Sequence, residues 1–266
     1  MTSFSNNFFR DFRRISPEGL PKHQAVIHCL RAHNSDMVII STTDCKLTAY
    51  HVADNSYDLL DEVDKYKGWV VKCELSMDNT FLVVLVEKMV AIYNARKRFV
   101  PITKFRPHMF VFNDISWSKC MTKVADEQLL ATCSKDGTIR LWRGRDILSK
   151  RLNDLQTAQQ PHITLGVFQD PTALYRSAAL EDPGHLESVV CIAFDPTDRF
   201  ILSGGVDYRI ILWNIAKGGV FEREFDGMYV SCVLLRLCAL TRIDRLSWSP
   251  LLLSSILTAI QQQNMT

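Results

Sequence analysis

"ATCSKDGTIRLW" (residues 131–142) and "LSGGVDYRIILW" (residues 202–213) say nearly the same thing about seventy residues apart. In each, a turn containing Asp separates two runs of β-forming residues, and a Trp stands six positions after the Asp, pairing Asp136 with Trp142 and Asp207 with Trp213. A hydroxyl residue, Thr132 or Ser203, stands four positions before each Asp. Read backwards, both units open on a histidine: His108 lies nine residues before Trp117, and His185 nine before Phe194. The later unit then runs nine residues to Ser203, the earlier one fifteen to Thr132, with the surplus in the polar "SKCMTKVADEQ", which reads as a loop insertion.

Recurrence at fixed spacing has a physical reading. In a four-stranded unit, the turn Asp accepts a hydrogen bond from the opening His, the His reaches the hydroxyl on the second strand, and that hydroxyl meets the Trp indole N–H on the third. Such a relay satisfies each buried polar atom and sets the register of three strands. His108, Thr132, Asp136 and Trp142 form one predicted relay, and His185, Ser203, Asp207 and Trp213 the other. An acid–base role for His108 with Asp136, or His185 with Asp207, is disfavoured because each pair recurs at repeat spacing.

Two weaker copies precede these. In "AVIHCLRA" and "MVIISTTDCKLTAYHV", Asp44 stands six residues before Tyr50, an aromatic in the Trp place. "WVVKCELSMDNTFLVVLVEKMVAIYNA" (69–95) keeps the strand lengths and ends near Tyr93, with Glu87 and Lys88 where the Asp would stand. The expected units are 23–52, 66–95, 108–143 and 184–215, inside a repeat region of 23–225. Residues 1–22 read as an N-terminal strand or arm and 143–183 as an inserted loop in which "HITLGVF" supplies an outer strand. Residues 226–266 form an atypical tail, truncated or helical in reading, with no Asp-Gly turn and Pro250 inside it.

The 266 residues are 47% hydrophobic and 23% charged with net charge +2, enough for a full core and too near neutral to argue for nucleic acid or an acidic membrane. Arg10, Arg13 and Arg14 lie among Phe8, Phe9 and Phe12 and read as a solvated terminal element. Eight cysteines show no CxxC and no zinc-finger spacing, and most sit in apolar strand runs, so free thiols in a reducing compartment are expected, and no metal. The N-terminus lacks the apolar core of a signal peptide. "SPLLLSSILTAI" is too short to cross a membrane as a helix.

"GHLESVVCIAFDPTDRFILSGGVDYRIILWNI" (184–215) resembles a WD40 repeat, with Gly184-His185 opening it, Asp207 in the turn and Trp213-Asn214 in place of Trp-Asp; "KDGTIRLWRG" is a second match. The resemblance implies an all-β fold, a WD40 β-propeller, incomplete at about four to five blades, since the family most often closes with about seven. No GxSxG, GxxxxGK[ST], HExxH or GxGxxG is present, so an enzyme is not expected, nor a cofactor. Loops on a rigid frame are then the candidates for binding other proteins. Trp69, Phe110, Phe112, Tyr175 and Tyr208 are possible anchors, with ordinary packing the expectation for each.

Among WD40 families the order of features is similar to the embryonic ectoderm development or extra sex combs subunit of Polycomb complexes. The shared features are "NFFRDF", a first unit ending "LTAYHV", a second ending "AIYNA", then "SKDGTIRLW", an insertion and a well-formed unit. That resemblance implies a nuclear scaffold for histone H3 lysine methylation and repression, with a histone tail and a histone methyltransferase subunit as partners. It also implies an aromatic cage for methyl-lysine. Phe9 takes the place of one cage aromatic; a second falls on Val71, leaving nearby Trp69 as the substitute. The alternative is a cytosolic WD40 adaptor, such as a ubiquitin-ligase substrate receptor or trafficking subunit.

Overall fold

A computed structural model describes residues 26–32, 36–52, 57–120, 127–148, 161–166, 184–195 and 197–226. The expected N-terminal arm, with Phe9, and the tail from 227 onward lie outside the described residues, as does Tyr175.

The described chain is nearly all β, folded as four antiparallel four-stranded sheets arranged as the blades of a propeller. Blade one holds β1 (Val26–Arg31), β2 (Met37–Thr42), β3 (Lys46–Val52) and β4 (Tyr57–Lys65). Blade two holds β5 (Val70–Leu75), β6 (Phe81–Val86), β7 (Met89–Asn94) and β8 (Val100–Phe105). Blade three holds β9 (Phe112–Trp117), β10 (Leu129–Ser134), β11 (Ile139–Arg143) and β12 (Ile163–Leu165). Blade four holds β13 (Val189–Phe194), β14 (Phe200–Gly205), β15 (Arg209–Asn214) and β16 (Val220–Asp226). Strands follow chain order within every sheet. One short helix, α1 (Gly144–Leu148), and β12 both fall inside the segment read as an inserted loop, with β12 completing blade three against β11. The strand period explains the layering. Every residue of β6 is buried, with Leu82, Val84 and Val86 turned toward blade one and Phe81, Val83 and Leu85 toward blade three. Leu130 likewise packs with blade two, whereas Leu129, Ala131 and Cys133 pack with blade four. Three cores thus fill the spaces between four consecutive blades.

The inner strands β1, β5, β9 and β13 are neighbours in that order. We call the end of the blades at which these inner strands start the entry end. It also carries the turns between second and third strands. In three of these turns the residue after Asp has a left-handed backbone: Cys45 (φ 65), Gly137 (φ 78) and Tyr208 (φ 62). Only glycine adopts that conformation freely.

Leu85 sits at 0% exposure in the core between blades two and three. Leu85→Ala is expected to lower stability by about 2 to 5 kcal/mol through lost burial and a residual cavity, read as a shift in the chemical-denaturation midpoint.

Candidate functional site

The four side chains of each proposed relay are in contact. In blade four, His185 Nδ1 lies 3.0 Å and 3.1 Å from the two carboxylate oxygens of Asp207. Its Nε2 is 2.8 Å from Ser203 Oγ, which accepts the Trp213 indole N–H at 2.9 Å. In blade three, His108 Nδ1 is 3.4 Å from Asp136 Oδ2 and Nε2 is 3.0 Å from Thr132 Oγ1; Thr132 Oγ1 accepts from Trp142 Nε1 at 3.1 Å. A carboxylate only accepts, so Nδ1 carries the hydrogen in both histidines. Backbone groups complete the turns: Leu186 N–H donates to Asp207 at 2.8 Å, and Thr138 N–H to Asp136 at 3.0 Å. Gly205 makes room for this, because a Cβ there would stand 2.6 Å from His185 Nδ1 and closer still to Asp207.

Charge follows burial. Burial drives the His108 imidazole below its ordinary value, only partly opposed by Asp136, so the ring is neutral near pH 7. Burial pushes both Asp136 and Asp207 up, but hydrogen bonds from their histidines and from neighbouring backbone and hydroxyl groups outweigh it and hold both carboxyls below the usual range. These groups sit inside blades, with His108, Thr132 and Asp136 all buried.

Blade two solves the same problem with different residues. Tyr66 stands four residues before β5, as His108 and His185 stand four before β9 and β13, and Tyr93 takes the Trp place. The longer phenol reaches directly: the two hydroxyls are 2.6 Å apart, Tyr93 donates to Asp64 Oδ2 at 2.6 Å, and Lys104 Nζ binds the same oxygen at 2.8 Å. Asp64 belongs to β4, so this cluster joins blade two to blade one. Burial raises both phenols.

A second buried network crosses the inner strands. Lys72 of β5 donates to Asp114 Oδ1 and to the Ile115 carbonyl on β9, both at 2.6 Å. Asp114 Oδ2 accepts the Ile192 N–H of β13 at 3.1 Å, so one carboxylate touches three blades. Burial alone would lower the Lys72 ammonium, but Asp114 and Glu74 outweigh it and raise it. Glu74 pairs with Lys119 and accepts from Trp117 N–H at 3.2 Å. The signal available in sequence was charge inside apolar strands: Lys72 and Glu74 in "WVVKCEL", Asp114 in "FNDISW".

Exposed apolar side chains gather at the entry end. Ten large hydrophobic residues are exposed among the described residues, and six of them lie there: Trp69, Val71, Met109, Val111, Val206 and Tyr208. Trp69 is 59% exposed and Tyr208 51%, so ordinary packing does not account for either; Phe112, at 1%, is a core residue, and Phe110 is half-buried. Val71 is exposed beside Trp69, and no second aromatic stands at that position. No group of three or more metal-ligating side chains occurs among the described residues.

The family model for the WD domain, G-beta repeat, matches residues 99–143 and 178–214, the third and fourth blades. The chain is 32% identical over 136 residues to WD repeat-containing protein 44 of Xenopus laevis, covering 50% of this chain and 11% of that protein. It is 24% identical over 130 residues to transducin beta-like protein 2 of Mus musculus, covering 39% and 29%. It is 30% identical over 118 residues to an uncharacterized WD repeat-containing protein of Schizosaccharomyces pombe, covering 44% and 14%. The chain therefore spans less than a third of the length of each of these relatives.

Asp207→Ala is expected to lower stability by about 1 to 3 kcal/mol, because His185 and Leu186 N–H lose their acceptor; an unchanged melting midpoint would contradict this. Acid should weaken the fold in two windows. A histidine with a depressed folded value contributes stability that is present above 6.5 and lost as pH falls below it, and Asp136 and Asp207 act likewise below 3.8. The melting midpoint should therefore fall between pH of about 7 and about 5, and fall less in His108→Gln.

Proposed function

We propose that this chain, which carries WD40 repeats, is a non-enzymatic scaffold that binds other proteins through the entry end. The gathering of Trp69, Val71, Met109, Val111, Val206 and Tyr208 on one end of the blades carries this reading, since aromatic side chains left exposed on a rigid frame are typical binding anchors. Tyr208 adds weight. It holds a left-handed backbone where blade three uses Gly137, and a bulky residue kept in a disfavoured conformation at an exposed turn marks a position selected for its side chain.

The Polycomb-type role would need an aromatic cage. Of its two anchor positions in this chain, Phe9 lies outside the described residues, and Trp69 stands beside Val71 without an aromatic partner from that strand. The names of the relatives carry no chromatin function, and none that favours a ubiquitin-ligase or trafficking adaptor. The general scaffold reading is therefore the one we adopt, and nuclear or cytosolic location follows from the partner.

Affinity capture from nuclear and cytosolic extracts tests it with three proteins: the wild type, Trp69→Ala and Tyr208→Gly. Both variants should lose the specific partners while Val100→Ala, exposed elsewhere on β8, keeps them. Tyr208→Gly should at the same time melt at or above the wild-type midpoint, because glycine relieves the left-handed backbone. Retention of every partner by Trp69→Ala and Tyr208→Gly would overturn the assignment of this surface.

A further inference from the structure

The exposed charges around the apolar cluster are one-sided. Among the described residues of the entry end, Lys65, Lys67, Lys88, Arg106 and Lys135 are exposed, against two exposed carboxylates, Glu87 and Glu62, the latter paired with Lys46. Several other acids of this end are engaged: Asp44 by Thr42, Asp64 by Lys104, Asp136 by His108, Asp207 by His185 and Glu224 by Arg209. At the opposite end the exposed cations are interrupted by Asp36, Asp58, Asp78 and Glu127, and the large exposed hydrophobics towards its turns among the described residues, Leu59, Leu60, Val100 and Val220, are all aliphatic. Net charge over the whole chain is only +2, so the bias at the entry end is local.

We infer that the entry end takes an acidic protein segment with apolar anchors. This rests on the reading that the entry end is the partner-binding surface, and deepens it by naming the chemistry of the partner. Apolar contact with Trp69, Met109 and Tyr208 would provide most of the affinity, since exposed salt bridges are individually weak. Rim cations select the sign of the partner and speed its encounter. A lysine-rich segment such as a histone tail would bring like charge against Lys67, Lys88 and Lys135, which disfavours it on the same grounds.

The test uses the full chain and two fluorescein-labelled peptides with identical Phe and Leu positions, one with Asp and Glu at every other position and one with Lys there. By fluorescence anisotropy the acidic peptide should bind about tenfold more tightly at about 0.1 M salt, and this preference should collapse towards parity at about 1 M, where the screening length shrinks from about 10 Å to about 3 Å. Joint reversal by Lys67→Glu, Lys88→Glu and Lys135→Glu should weaken the acidic peptide about tenfold with an unchanged melting midpoint, and Gln at the same three positions should give an intermediate loss. Equal or tighter binding of the Lys peptide, binding of neither, or indifference to the reversal would each overturn the inference. If Trp69→Ala abolishes partner capture while the two peptides bind alike, the charge inference alone falls; if Trp69→Ala changes no capture, the surface assignment falls with it.

Discussion

A hydroxyl with 0% exposure, caught between a histidine and an indole, is the constraint on which blades three and four turn. Ser203 sits on the second strand of its blade, His185 before the first and Trp213 on the third. No member can move by one residue without stranding the others, because a register slip would turn every side chain of a strand to the opposite face. The aspartate in the turn then holds the histidine from the other side. In blade three the same geometry recurs with Thr132 for Ser203, at slightly longer distances. The backbone ladders would allow several registers; the polar side chains favour one.

Between blades the logic changes from polar fixation to two-sided burial. β6 and β10 divide their side chains between adjacent cores, so each central blade is a wall shared by two layers. Along the inner strands Asp114 collects Lys72 from one neighbour and the Ile192 N–H from the other, and Asp198 of blade four reaches back to Ser118 and Lys119. Buried charge of this kind contributes little net stability when paired and is strongly destabilising when one partner is lost, so its effect is to specify which blade face meets which. Rigid blades in turn let the entry-end turns present Trp69 and Tyr208 to solvent without losing their positions.

Much of this was legible because the spacing of His, Ser or Thr, Asp and Trp is a covalent measurement of strand and turn length. Blade three and blade four announce themselves in that way, and the family model matches the same two stretches. Blade two is harder to read. Tyr66 and Tyr93 replace the His and Trp with side chains long enough to touch directly, so the intermediate hydroxyl vanishes and Val84 takes its place. The outer strands β4, "YDLLDEVDK", and β8, "VPITKF", carry too much charge or proline to stand out as apolar strands, as suits edge positions that face solvent. Exposure was the least legible property: Phe112 and Trp69 are equally aromatic, and only the packing separates the buried one from the exposed one. The likeness to Polycomb subunits rests on "NFFRDF", which lies outside the described residues, and on the order of units, which any degenerate early blades followed by two good ones would satisfy.

The most direct measurement is a double-mutant cycle on Ser203→Ala and Asp207→Asn by chemical denaturation. These side chains do not touch each other but share His185. If the relay acts as one connected unit that fixes the strands, the two losses should be non-additive by at least about 0.5 kcal/mol. Losses that sum to within about 0.3 kcal/mol would mean that the groups stabilise the blade independently, and would contradict the account.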